Sequence, residues 1–293
     1  MKKANRSQVL VIASMVIFGT LGPFVRNISV SSGELALYRA ILAAVLVGLF
    51  LTITKQKINF RALGKELLLL LISGMAMGIN WILLFEAYKY TTVSVATLSY
   101  CFAPVIVTIV CPFFFKEKLG PKQIICFIMS TIGIVMITGI AGSKGGRDII
   151  GILFGLGAAV FYASVILLNK FIKKVEDLHR TFLQFIAAII ILVPYVVFTS
   201  GVTLGTMNST GWICLLVVGI VHTSITYCMY FTAIKDLPGQ QTAILSYIDP
   251  LVAVIISVAV LGEAITIPQI IGGVLILGFT LLNEIKLPAK ETQ

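Results

Sequence analysis

The sequence predicts an all-α polytopic membrane protein of ten transmembrane helices, arranged as two inverted five-helix repeats. Three observations carry that expectation. The 293 residues are 58% apolar or aromatic and only 12% charged, with a mean hydropathy of +1.05, whereas a soluble domain carries about a quarter charged residues. Ten apolar runs, each near the ~20 residues that cross a bilayer core, are separated by charged, Gly, Pro or Ser clusters. One stretch of the first half also reappears, in order, in the second. The composition excludes a water-soluble globular protein, a disordered chain and a disulfide scaffold.

The runs place helices at 8–25, 33–53, 66–87, 94–115, 121–140, 150–170, 180–199, 211–233, 239–261 and 267–284. Met1 to Arg6 ahead of an apolar run has the look of a signal peptide. The run continues to Val25 with no small-residue cleavage pattern, and nine more follow, so it reads as a retained first span. Ser31-Ser32-Gly33-Glu34 has the spacing of a capping box before the second span. Pro121 and Pro268 fall in the first turn of the fifth and tenth spans, where a missing N–H costs nothing. Pro238-Gly239 breaks the chain between the eighth and ninth. Gly74-x-x-x-Gly78 and Gly151-x-x-x-Gly155-x-Gly157 allow close helix packing; neither follows a strand or ends in Lys-Ser/Thr, so neither is a phosphate loop. Cys101, Cys111, Cys126, Cys214 and Cys228 all lie inside apolar runs without a CxxC, as small packing residues. No cofactor and no metal site follow from them.

Charge sets the orientation. The formal net charge of +10 reflects cytoplasmic loops rather than nucleic-acid binding. With the amino terminus inside, the even-numbered connections and both tails hold seventeen Lys and Arg, from Lys2, Lys3 and Arg6 to Lys286 and Lys290. The outer connections hold four, Arg26, Lys89, Lys144 and Arg147, and Arg39 lies within a span. That bias puts both termini in the cytoplasm of a multi-pass protein of the plasma (inner) membrane.

Shifting the chain by 146 positions lays 85–125 over 231–271. Phe85, Ala87 and Lys89 meet Phe231, Ala233 and Lys235; Pro104, Ile109 and Glu117 meet Pro250, Ile255 and Glu263; Gln123-Ile124-Ile125 meets Gln269-Ile270-Ile271. A one-residue slip aligns Ala96, Leu98, Ser99 and Tyr100 with Ala243, Leu245, Ser246 and Tyr247. The halves divide as 1–143 and 144–293. Five spans is an odd number, so the second copy enters the membrane upside down. Phe115-Lys116-Glu117-Lys118 lies inside and keeps its lysines, while its match, Leu261-Gly262-Glu263-Ala264, lies outside and has none. Inverted repeats are a mark of secondary transporters, whose sites lie near the midplane between the repeats.

Each half thus carries Ser-Tyr, a Pro shortly after, a Glu and a Gln: Ser99-Tyr100, Pro104, Glu117 and Gln123, then Ser246-Tyr247, Pro250, Glu263 and Gln269. With Arg39 six residues into the second span, this pattern resembles the EamA-type branch of the drug/metabolite transporter superfamily over essentially the whole chain. The resemblance implies a ten-helix bundle with a central cavity and export of small metabolites; members move amino acids, amines, nucleosides, vitamins and drugs.

A titratable side chain near the bilayer centre costs at least ~2.5–3.5 kcal/mol on insertion scales, so each is a candidate for function. Asp249 falls about ten residues from either end of the ninth span, roughly 15 Å deep. It shares a stripe with Thr242 and Ser246, has Ala103 as its repeat partner, and precedes Pro250, which removes a backbone N–H from the helix ladder. It suits an amine, an ammonium ion or a proton; the alternative is a neutral Asp bonded to a neighbouring helix. His222 is central in the eighth span, on a stripe with Thr226 and Tyr230. It suits proton coupling or, equally, a single helix–helix hydrogen bond. Arg39, about 9 Å inside the second span, stays charged and needs a partner on another helix or on the substrate. It reads equally as a carboxylate clamp and as a scaffold ion pair. Asn80, Trp81, Tyr100 and Tyr247 are weaker candidates, as an amide and aromatic walls for an organic ligand. Glu117 and Glu263 begin at membrane edges, as scaffold or gate residues.

The expected function is secondary active transport, exporting a small organic metabolite, an amino acid or amine, by proton antiport. No Walker motif is present to use ATP, and no HExxH or GxSxG marks an enzyme. Two other readings share the chain: a lipid or lipid-linked sugar flippase of the same fold, and an intramembrane enzyme or receptor. The expected partners are the small-molecule substrate, protons and the lipid bilayer, with no nucleic acid, in a monomer or homodimer.

Overall fold

The computed structural model is helical throughout, and it describes residues 2–56, 64, 66–115, 120–138, 146–173, 175, 177–199, 201–234, 237 and 245–284. α1 (Lys2–Gly19) turns at Thr20 into the short α2 (Leu21–Arg26), and α3 (Ser32–Ile53) and α4 (Glu66–Tyr90) follow. α5 (Val93–Tyr100) and α6 (Ala103–Phe115) are separated by a turn at Cys101-Phe102. Then come α7 (Pro121–Thr138), α8 (Gly146–Phe171) and α9 (Asp177–Thr199). α10 (Ser209–Val217) runs through a π-helical segment, Val218–Ile225, into α11 (Thr226–Ile234). α12 (Ile248–Ala259) and α13 (Ile267–Glu284) complete the chain.

Among the described residues, six stretches are long and apolar enough to cross a membrane: Asn5–Arg26, Ser32–Ile53, Glu66–Tyr90, Asp148–Phe171, Leu178–Thr199 and Ser209–Tyr230. Four shorter apolar helices, Val93–Val107, Pro121–Met136, Ile248–Ala259 and Ile267–Leu282, stand at the expected fourth, fifth, ninth and tenth spans. The chain is therefore a multi-pass, all-α membrane protein. Its surface inverts that of a soluble protein: Phe198, Ile53 and Val274 point outward, while Glu34, Arg39, Asn80 and His222 are buried.

Local capping explains the helix starts. Ser31 and Glu34 form the expected capping box, each side chain meeting the other's backbone N–H. The repeated glutamines have the same job in both halves. Gln123 Oε1 accepts the Gly120 N–H at 2.8 Å, and Gln269 Oε1 accepts the Thr266 N–H at 2.9 Å. Pro121 and Pro268 stand in first turns, as expected. Pro238-Gly239 lies outside the described residues.

The expectation of a continuous ninth helix over 239–261 is corrected. Tyr247 is a turn residue and α12 starts at Ile248, so Asp249 and Pro250 occupy a first turn rather than mid-helix. Pro250 thus removes no ladder bond there, because first-turn N–H groups have no intrahelical partner. The continuous fourth helix is corrected likewise, with Pro104 in the first turn of α6.

Packing is tightest where glycine admits a neighbour. A Cβ on Gly74 would lie 2.5 Å from the Ala187 Cβ and from the Gln184 carbonyl of α9, and one on Gly155 would lie 2.9 Å from the Ser99 Cβ. α4 lies along α8 and α9, α5 along α8, α3 along α9, and α7 along α13. α1 lies along α11 and α12, and the π segment along α3. Exchanging the two halves maps this set onto itself: α4–α8 answers α1–α11, α4–α9 answers α3 with the π segment, and α5–α8 answers α12–α1.

Candidate functional site

Arg39 stands at the centre of the bundle, only 4% exposed. Its Nε donates to the Thr223 Oγ1 at 2.7 Å, and Thr223 passes its own proton to the Val218 carbonyl at 2.8 Å. The guanidinium lies 4.7 Å from the centroid of the Trp81 ring and 5.7 Å from that of Phe85. Among the described residues neither Nη has a hydrogen-bond partner, and no carboxylate is within salt-bridge distance of them.

Aromatic rings continue the wall. Trp81 meets Phe185 at 5.9 Å, Phe185 meets Tyr227 edge-on at 5.5 Å, and Tyr227 meets Phe18 edge-on at 5.3 Å. Adding 146 to 39 and 81 gives 185 and 227, so these four central side chains come from two repeat-related positions. Sequence reasoning missed Phe185 and Tyr227, although extending the repeat alignment toward its start would have found both.

Asp249, in the first turn of α12, is half-buried. Arg39 and the phenols of Tyr88, Tyr100, Tyr162 and Tyr227 all lie within its electrostatic reach. It makes no hydrogen bond or ion pair to a described residue, Arg39 included. A helix N-terminus favours a carboxylate here. Tyr100 stacks on Tyr162 at 5.2 Å. Of the expected Asp249 stripe, Thr242 lies outside the described residues; Ser246 and Tyr247 sit half-buried just before α12.

His222 is buried one layer away, against the bend between α1 and α2. Its Nε2 is 3.0 Å from the Thr20 Oγ1, its Nδ1 is 3.4 Å from the Val217 carbonyl, and its ring tilts against Phe24 at 4.9 Å. Thr226 and Tyr230 share α11. Between His222 and Thr226 the expected stripe passes through the π-helical turn, where Thr223, Ser224 and Thr226 each bond the carbonyl five positions back, at 2.8, 2.8 and 2.7 Å. Thr226 is therefore committed to its own helix. Asn80 is committed too, its Nδ2 donating to the Ala158 carbonyl at 2.6 Å, a bond between α4 and α8. Tyr230 lies half-buried beside α1, near Val11 and Met15.

The arrangement can hold an anion against Arg39 on an aromatic floor and a cation against Asp249 among phenols. Among the described residues no group of three His, Cys, Asp or Glu side chains is placed to hold a metal ion.

The EamA-like transporter family matches residues 5–139 and again 149–284. The chain belongs to this family. An uncharacterized transporter of Bacillus subtilis, YxxF, is 30% identical over 291 residues, covering 99% of this chain and 93% of its own length. An uncharacterized transporter of Clostridium kluyveri is 30% identical over 75% of this chain and 73% of its own, and one of Archaeoglobus fulgidus 27% identical over 94% and 95%. A solved crystal structure, 13% identical, superposes with a TM-score of 0.65 over 94% of this chain and 96% of that one. That likeness concerns the fold alone. Family membership makes this EamA-type protein a small-molecule transporter of the drug/metabolite class.

Proposed function

We propose that this EamA-family protein is a secondary transporter that exports a small amino acid or amine in exchange for protons. Its ten helices form two five-helix repeats, 1–143 and 144–293, inserted with opposite topology and both termini in the cytoplasm of the inner membrane. The duplicated family match, the half-exchange of helix contacts and the charge bias support that arrangement.

One observation carries the substrate reading: the Arg39 Nη groups and the Asp249 carboxylate are opposite charges within reach of one another, without a hydrogen-bonded partner among the described residues and unpaired with each other. Buried charges are costly unless compensated, so the solute supplies the partners. A substrate carboxylate takes the two Nη donors over the Trp81 face, and an ammonium takes Asp249. A proton takes Asp249 when the ammonium has left, so solute and proton alternate on one group. Trp81, Tyr100 and Tyr227 shape the enclosure, with Ser246 and Tyr247 at its rim, and His222 is a second proton-exchanging group.

The test starts from metabolites accumulated outside cells with and without overexpression. The enriched solute is then offered to proteoliposomes holding the purified protein. Uptake driven by an imposed pH gradient is expected, saturable and competed by analogues bearing both charges. Transport unaffected by removing the ammonium from the solute would refute the reading.

A further inference from the structure

A second cluster, at the end of α2, joins three separate pieces of chain. Arg26, the last residue of α2, pairs its Nη2 with the Glu263 Oε1 at 2.6 Å and donates to the Thr91 carbonyl at 2.8 Å. The Glu263 Oε2 accepts the Val93 N–H at 2.8 Å and the Ser257 hydroxyl, and Ser257 Oγ accepts the Ser94 N–H at 3.3 Å. One carboxylate therefore joins the end of α2, the start of α5 and the end of α12.

Two of those helices lead straight back to the central site. α5 has Val93 and Ser94 in the cluster and Tyr100 within electrostatic reach of Asp249. α12 has Asp249 in the site and Ser257 in the cluster, eight residues or ~12 Å further along. α5 and α12 pack on each other. Both are interrupted at their inner ends, α5 by the turn at Cys101-Phe102 and α12 by the turn at Tyr247. Against α1 and α2 the pair comes close at two glycines. A Cβ on Gly22 would lie 2.6 Å from Val93 Cγ1, and one on Gly19 would lie 2.6 Å from the Val252 Cβ and 2.7 Å from the Asp249 carbonyl.

We infer that Arg26, Glu263 and Ser257 are the latch of the outer gate, and that α5 and α12 swing together from α2 when it releases. The inference rests on the transport reading above and adds what couples the site to one side of the membrane. Loading or unloading Asp249 shifts the inner end of α12, and the same rigid helix carries that shift to Ser257. Arg26 and Glu263 act through helix position; neither touches the solute.

The test needs no substrate, so its failure is distinct from failure of the transport reading. Ala253→Cys, in a cysteine-free background, puts a thiol on α12 between site and latch, at a position only 4% exposed. Its reaction rate with a membrane-impermeant thiol reagent, applied from outside, reports opening. In Arg26→Gln and in Glu263→Gln the rate should rise about tenfold, the response of a two-state equilibrium to the loss of one partly buried charge pair. Arg26→Lys, which keeps a cation able to donate to Glu263, should stay nearer the parent value. Unchanged rates in both single variants, or an Arg26→Lys variant that reacts as fast as Arg26→Gln, would overturn the latch.

Discussion

Replacing Arg39 by lysine keeps the charge and removes the planar fork. The parent guanidinium spends its Nε on Thr223 at 2.7 Å and stacks 4.7 Å from the Trp81 centroid, leaving two parallel donors on its outer edge. A lysine ammonium offers the solute one directed bond instead of two. One charge-assisted hydrogen bond contributes ~1.5–3 kcal/mol, and the guanidinium–indole contact about 0.5–1 kcal/mol. The combined loss of ~2–4 kcal/mol corresponds to a fall of roughly 30- to 900-fold in kcat/KM. The fold should survive, because Thr223 keeps its bond to the Val218 carbonyl at 2.8 Å when Arg39 leaves. The assay is initial-rate uptake into proteoliposomes against solute concentration, with Arg39→Lys and the parent reconstituted in equal amount. A Lys variant with unchanged kcat/KM would show that the two Nη donors meet no carboxylate. One lost equally for amines and for amino acids would show the same.

Asp249→Asn preserves shape but cannot titrate; it should abolish uptake driven by a pH gradient, and undiminished gradient-driven uptake would transfer coupling to His222. Single cysteines at Lys57 and Lys173 should react only with membrane-permeant thiol reagents and one at Asn208 with impermeant ones; external labelling of the first two would reverse the orientation. Glu34→Gln should lower the melting temperature in detergent, because an amide must turn an NH2 toward donors now served by the carboxylate. Thr203 N and Oγ1 stand at 2.6 and 2.5 Å, the Ser31 N at 3.3 Å and the Tyr38 hydroxyl at 3.2 Å, and the misfit should cost ~1–3 kcal/mol.

The sequence by itself determined the class of this protein, the places where its helices run, and several of their ends. Those features depend on hydropathy summed over about 20 residues and on caps that reach three positions, so they are local. The Ser31–Glu34 box and the paired roles of Gln123 and Gln269 are of this kind. The repeat was legible as well, because duplicated residues keep their order. Only the tertiary structure decided what each polar residue faces. Asn80 and Thr226 share the composition of site residues, yet a carbonyl from α8 claims one and the π-helical turn claims the other. Asp249 moved from mid-helix to a helix start because the chain turns at Tyr247. Arg39 finds Thr223 184 positions away, and Val93 finds Glu263 170 positions away. A bilayer rewards burial of any apolar face alike, so hydropathy cannot say which helix lies beside which; close packing at Gly19, Gly22, Gly74 and Gly155 does.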